Sequence, residues 1–405
     1  MNRSIKLGIA IVAMAIMLVM LPTLQKPARS QGGATEAPAG FDNLTNGHIS
    51  QADFDTFRPT FEEEEEIDEG LGPTFNNTSC LNCHNVPVAG GSSRQFETRA
   101  GYRDPNGNFV EHPGGSVVQD RAINPSIRER VLSYEDTTKR ASLNTLGDGF
   151  VEAIDDDTLI GIRDKQPANI KGTAIYVSIL EAANGKTRVG RFGWKNQHAS
   201  LESFSADAYL NEMGITSPLQ PNENTSDGNS VAAFDDVKDP EDIGGVDVNR
   251  FAQFMRATKV PPRDPSLVGR ADTIAGQQKF HELGCDGCHI PTIVTAPAKT
   301  RFNGGFVVSE ALGNKIIHPY SDFLLHNIGT NDPIVQNGGA ETYNMVRTAP
   351  LWGLGNRSSY LHDFSAQTLT QAITSHGGQA KAAADAFAAL PNSVKAQLLT
   401  FLDSL

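Results

Sequence analysis

Cys80-Leu81-Asn82-Cys83-His84 is the stretch from which the rest of the chain is read, and it has one echo, Cys285-Asp286-Gly287-Cys288-His289. Cys-x-x-Cys-His is the attachment signature of c-type haem. Two thiols add to the vinyl groups of one porphyrin, and the histidine that follows falls beneath the ring as proximal iron ligand. The spacing suits this chemistry because both sulfurs and the imidazole must reach one flat disc from a single turn of chain. A four-cysteine zinc site is the plain alternative, but its pairs usually stand ~15–20 residues apart, whereas these are separated by about half the chain. A thioredoxin-like pair would not need the histidine. The two motifs consume all 4 cysteines of the chain, which favours two covalent haems, held by Cys80, Cys83 and His84 and by Cys285, Cys288 and His289.

The chain is 405 residues long, more than one ordinary domain, so two or more are expected. A hydrophobic content of 39% supports proper cores, and the net charge is −13. That acidity argues against nucleic acid as a partner, because nucleic-acid binding needs basic patches. It permits docking to a basic redox protein, although an acidic surface is more often simple solubility.

The N-terminus reads as an export signal over residues 1–30. Arg3 and Lys6 give a positive start, Leu7 to Leu21 is an unbroken apolar run, and Ala28-Arg29-Ser30 fits a small-x-small cleavage site. The run is short for a membrane span, which needs ~20 residues. The expectation is a periplasmic protein, with an uncleaved membrane anchor as the minor alternative. An exported chain with no disulfide is consistent, because no cysteine is left over.

Residues 31 to about 60 read as a linker or strap, and Glu62 to Glu66 as a solvated acidic run. Glycine-rich segments after His84, including Gly90-Gly91 and His112-Pro113-Gly114-Gly115, read as long loops around a cofactor. Apolar periodicity predicts helices over Leu201–Met213, Val248–Thr258, Ala275–Leu283, Thr368–Ser375 and Ala380–Leu390, and a last one after Pro391. Pro218 to Asn229 reads as an exposed loop. The expected fold is mainly α, with two cytochrome c-like haem domains in tandem, long loops and little β. Residues 31–262 would form an N-terminal, peroxidatic-type domain and 263–405 a C-terminal, electron-transfer one.

Several motifs in one order carry a family resemblance. They are Gly70-Leu71-Gly72-Pro73, Arg191-Phe192-Gly193-Trp194-Lys195, Glu212-Met213-Gly214-Ile215-Thr216, Tyr320-Ser321-Asp322 through His326, Arg347-Thr348-Ala349-Pro350-Leu351-Trp352, Leu361-His362-Asp363 and His376-Gly377-Gly378. With the two haem motifs between them, the chain resembles the di-haem oxidoreductases, relatives of the bacterial di-haem cytochrome c peroxidases. The resemblance implies unequal haems: one closed by a second axial ligand and passing electrons, the other keeping a reactive face for peroxide. It also implies a small redox protein, a cytochrome c or a cupredoxin, as electron partner, and a monomer or homodimer. Relatives often hold a Ca²⁺ ion between domains, so Ca²⁺ is a candidate second cofactor; the sequence does not locate its site, and Ca²⁺ binding by the Glu62–Glu66 run is a minor alternative to a solvated face. Some carry a thiol-oxidoreductase label, which the spent cysteines do not support.

Residue by residue, the resemblance places His376 where the peroxidases supply an axial Met. It therefore implies bis-His ligation of the C-terminal haem by His289 and His376, and a weaker oxidant than a Met/His pair would give. The alternatives are a plain loop histidine at 376, and Met345 as the sixth ligand rather than a core residue. Glu212 matches the acid over the reactive face, where a carboxyl group shuttles a proton between peroxide oxygens; the bland reading is a solvent-facing helix glutamate. Trp194 matches the inter-haem tryptophan, or is a packed core aromatic. Phe204 stands where relatives carry a glutamine, with Gln197 nearby. His112 is an outside candidate for a displaceable sixth ligand of the first haem, and His326 and His362 for hydrogen bonds near a haem edge.

The expected function is that of a peroxidase-like oxidoreductase, with peroxide or another small oxidant reacting at the N-terminal haem and electrons passing through the C-terminal one. The alternatives are an electron-transfer cytochrome without bond chemistry, and an oxygen-dependent oxidase of an organic substrate.

Overall fold

The computed structural model describes residues 33–182 and 185–405, so the expected export signal lies outside the described residues. Gly33–Leu405 form one compact unit. No helix among the described residues is long and apolar enough to cross a membrane.

The segment expected to be a loose strap is structured. Thr35–Glu36 adds a parallel strand to Lys315–Ile317, in register Thr35 with Lys315, and Ile293–Val294 pairs on the far side. Ser50 then caps the helix Gln51–Glu62 by accepting from the Asp53 amide at 3.1 Å. The apolar face of that helix meets the helix Val246–Ala257, where Phe54 and Phe61 pack on Phe254 at ring separations of 5.2 and 4.8 Å. These residues seed the larger of the two main cores. Ile293, Val308, Leu312 and Trp352, from the second half of the sequence, also pack in it.

The expectation of a mainly α fold with little β fails. Only 31% of the described residues are helical, with 15% strand in several small sheets. The main departure lies just after the first haem motif, in a stretch expected to be loop. Phe96–Arg103 is a strand at the centre of a four-stranded antiparallel sheet, paired with Phe109–Glu111, Val117–Val118 and Asp136–Ala141. Its strand character was hidden because its inward positions are not apolar. Glu97 and Arg99 lie two apart on one face, and Glu97 stands in register with Arg140 of the neighbouring strand. The alternation that marks a half-buried strand is written here in opposite charges.

The expected helices are present, with ends moved by a few residues. Leu201–Ala208 is α-helical and runs into a π-helical turn, Tyr209–Met213, closed by Gly214 with φ +71°. Such turns are rare and recur at functional sites. Near the C-terminus, Ala271–Glu282 and Asn392–Asp403 cross closely around Phe280 and Phe401, whose rings lie 5.4 Å apart. A methyl group at Gly276 would sit 2.0 Å from the Gln397 carbonyl oxygen, so only glycine allows this approach. Phe280, Phe387, Leu398 and Phe401 form the smaller core beneath the second haem motif.

Candidate functional site

Cys80–Cys83 is a single helical turn capped by Ser79, whose hydroxyl accepts from the Leu81 amide. The acidic run upstream is not merely solvated. Glu64 accepts from Thr78 and Asn82, and Glu65 from the Tyr209 hydroxyl at 2.7 Å. The run therefore braces the haem turn against the π-helical segment. Burial is the main reason the Glu65 carboxyl is pushed up to about 7.

The turn faces a cavity of about 1180 Å³, counting its open mouth. Cys80, Cys83 and His84 line one part of it, and Phe61, Phe204, Phe251 and Met255 make much of the rest apolar. His84 directs Nδ1 at the carbonyl oxygens of Leu143 (2.7 Å) and Gly91 (3.2 Å). Among the described residues Nε2 has no hydrogen-bond partner. Burial lowers the proton affinity of the ring. A neutral imidazole oriented through Nδ1, with Nε2 free, is what iron ligation requires. Neither thiol is in a disulfide, and burial pushes the Cys83 thiol up to about 12. Cys80 packs on the larger core and Cys285 on the smaller, so the two pairs do not form one four-thiolate site. The residues present fit a haem at this cavity.

Glu212, Glu97, Arg99 and Asn76 also line the cavity. Asn76 Nδ2 donates to Glu212 Oε2 at 2.7 Å, and the amides of Asn76 and Asn77 donate to the Glu212 carbonyl. Arg99 grips Glu97 with two bonds, Nε to Oε1 at 2.7 Å and Nη2 to Oε2 at 3.0 Å. Burial, then the charge on Glu97 and the hydrogen bond shared with it, hold Glu212 well above the usual carboxylate range. Burial also works against the charge on Glu97, but Arg99, the bond from Glu212 and Arg140 outweigh it and hold Glu97 below that range. Two adjacent carboxyl groups pushed in opposite directions divide into an acid and a base. Sequence reading singled out Glu212 and missed Glu97, Arg99 and Asn76. The available signal was the Glu-x-Arg spacing of one strand face.

Trp194 is buried at the same cavity, and its Nε1 donates to the Ala141 carbonyl at 2.8 Å. Its indole stands edge-on to His362, with ring centroids 6.1 Å apart. Gln197 and Phe204 both line the cavity. His112 does not. Its ring nitrogens are held by Glu135 at 3.0 Å and Asp227 at 3.1 Å, so the idea of His112 as a sixth ligand is withdrawn.

At the second motif, His289 repeats the pattern of His84. Its Nδ1 meets the Tyr320 carbonyl at 2.9 Å, and burial lowers its proton affinity to about 4, with His376 and His326 contributing. His376 is thus within electrostatic reach of His289. Its own Nδ1 is tied to the Ala372 carbonyl at 2.7 Å, leaving Nε2 available. Met345 packs beside Ile175, Val177 and Leu325, in a third small core. His326 lies against Cys288, with Nδ1 3.8 Å from its sulfur and Nε2 2.8 Å from Asp322. His289 and His376 thus each leave Nε2 free of a hydrogen-bond partner among the described residues.

No curated protein matches the chain. Among solved structures it is similar to Kuenenia stuttgartiensis hydrazine synthase, with 13% identity, 93% of this chain and 97% of that one covered, and a TM-score of 0.41. It is also similar to a MauG-like protein associated with microbial copper homeostasis, with 14% identity, 93% and 95% covered, and a TM-score of 0.41. The profile of the family described as "Di-haem oxidoreductase, putative peroxidase" matches residues 122–405, a span that holds Trp194, Glu212, the second haem motif and His376 and begins after the first motif. The chain belongs to the di-haem oxidoreductase family.

Proposed function

We propose that the chain is an exported, periplasmic peroxidase-like enzyme carrying two covalent c-type haems, with the reactive one in the Cys80–His84 cavity. The observation that carries this reading is the carboxyl pair at the cavity: Glu212, held above the usual carboxylate range, and Glu97, gripped by Arg99 and held below it, facing the same cavity as a proximal-type histidine. A haem bound there would supply iron that takes an oxygen ligand and electrons that pass to it.

Reduction of hydrogen peroxide to two waters consumes two electrons and two protons. Asn76 fixes one oxygen of Glu212, which presents the carboxyl proton to the departing oxygen. Glu97, beside Arg99 and lining the same cavity, is placed to receive the proton that incoming peroxide gives up.

His289 and His376 would hold the second haem as a bis-His centre that accepts electrons from a small cytochrome c or cupredoxin. Trp194 and His362, in edge contact, stand between strand Asp136–Ala141 and the C-terminal part of the chain and suit a relay role. Electron paramagnetic resonance of the resting protein tests the assignment. One high-spin and one low-spin haem support it, whereas two low-spin haems that persist after half-reduction favour the pure electron carrier.

A further inference from the structure

Outside the haem cavity, His112, Glu129 and Asp227 bring one ligand atom each to within 4.8 Å of one another. They come from three places in the sequence. His112 follows the strand Phe109–Glu111, Glu129 follows the turn Pro125–Ile127, and Asp227 lies in the 218–229 loop. Gly114 lets these segments touch, since a methyl group there would stand 2.3 Å from the Thr225 carbonyl oxygen.

The histidine is prepared as a ligand. Its Nδ1 is held by both oxygens of Glu135 at 3.0 Å, and neither side chain is exposed to solvent. A carboxylate behind one ring nitrogen fixes the tautomer and raises the basicity of the other, an arrangement common to metal-bound histidines. Nε2 points to Asp227 Oδ1 at 3.1 Å.

A metal-free triad of Glu135, His112 and Asp227 would account for those two hydrogen bonds, but not for Glu129. That residue is 5% exposed. One oxygen accepts from the Gln119 amide, and the other, Oε1, is buried with no hydrogen-bond partner among the described residues. An unpaired buried carboxylate oxygen is costly. Among the described residues no lysine or arginine side chain forms an ion pair with Glu129, Glu135 or Asp227. Three carboxyl groups gathered around one imidazole, with no basic side chain paired to them, form a cluster that a divalent cation would balance.

We propose that His112, Glu129 and Asp227, with Glu135 orienting His112, form a site for one divalent transition-metal cation of the zinc or manganese class. A mixed nitrogen and oxygen donor set suits these ions; ligand atoms ~2.0–2.2 Å from a common tetrahedral ion stand ~3.3–3.6 Å apart, and the three donors here already lie within 4.8 Å of one another. On binding, the cation replaces the proton between His112 Nε2 and Asp227, and that proton leaves to solvent. The site would clamp the 218–229 loop to the four-stranded sheet. Gln119 extends the clamp, because its amide holds Glu129 while its side chain donates to the carbonyl of Asn211, next to Glu212.

The test uses the haem-loaded protein, stripped of loose metal with a chelator and titrated with zinc and with manganese chloride by calorimetry. The expected result is one tight equivalent beyond iron for at least one of the two ions, with a dissociation constant of ~1 μM or below. His112→Ala and Glu129→Gln should each weaken it by ~100-fold or more, and Glu135→Gln by ~10–100-fold. Haem absorption and circular dichroism report whether each variant is folded. Absence of a stoichiometric equivalent, or wild-type affinity in folded His112→Ala and Glu129→Gln, overturns the proposal. Zinc-edge absorption on the loaded wild type decides the matter without any variant. Imidazole nitrogen with carboxylate oxygens supports the site, and a sulfur shell or an all-oxygen shell refutes it.

Discussion

Asn76 Nδ2 reaches Glu212 Oε2 at 2.7 Å, across 136 residues of sequence. Asn76 stands four residues before Cys80, so the stretch that leads into the Cys80–His84 turn also fixes the Glu212 carboxyl group. Glu212→Gln should keep both hydrogen bonds to Asn76 and the haem spectrum, yet slow peroxide turnover by ~10²-fold or more. Steady-state rates with a reduced small cytochrome as donor check this; an unchanged rate would remove Glu212 from the chemistry.

The same pair gives a pH dependence. Glu212 is raised in the folded protein, so the fold favours its protonated form. Its effect is neutral below the ordinary glutamate pKa of ~4.3 and becomes a growing cost as pH rises above it. Glu97 is lowered, so its contribution is present above that value and is lost as pH falls through its folded pKa. Thermal melts of wild type and Glu212→Gln should therefore diverge from pH 5 to pH 8, with the variant gaining relative stability at the alkaline end. Parallel curves would contradict the assigned protonation state.

Arg99 compensates a buried charge. It bonds Glu97 twice and Ser116 Oγ at 2.9 Å. Arg99→Met should cost ~3–5 kcal/mol, because it leaves Glu97 buried and unpaired. The double variant with Glu97→Gln should recover part of that loss. Denaturant unfolding of the four proteins gives the coupling directly, and additive losses would mean the pair is not energetically linked.

The His376 assignment separates from the rest. His376→Ala should convert the C-terminal haem from low-spin to high-spin, and His376→Met should raise its reduction potential. Spectra and a redox titration follow both changes. If neither moves, another residue closes that iron.

Cys285→Ser with Cys288→Ser should lower the pyridine haemochrome yield from two haems per chain to one, leaving the Cys80–His84 haem in place. A yield that stays at two would show that the thiols are not the tether.

The haem motifs, the helices flanking them, Glu212 and His376 could be found in the sequence because their signals are local. A five-residue motif or a 3.6-residue apolar period is complete within a few turns of chain. The strand Phe96–Arg103 was not legible, because its inward residues are charges satisfied by partners that sequence alone does not bring near. Glu97 meets Arg140 by strand register. Arg140 in turn meets Asp332, at 2.9 Å from its Nε. The order of the two Cys-x-x-Cys-His motifs and the candidate iron ligands His84, His289 and His376 were thus legible in the sequence. Which glutamate keeps its proton was decided only by the tertiary structure, since a carboxyl group's proton affinity depends on its burial and on the charges folding places beside it.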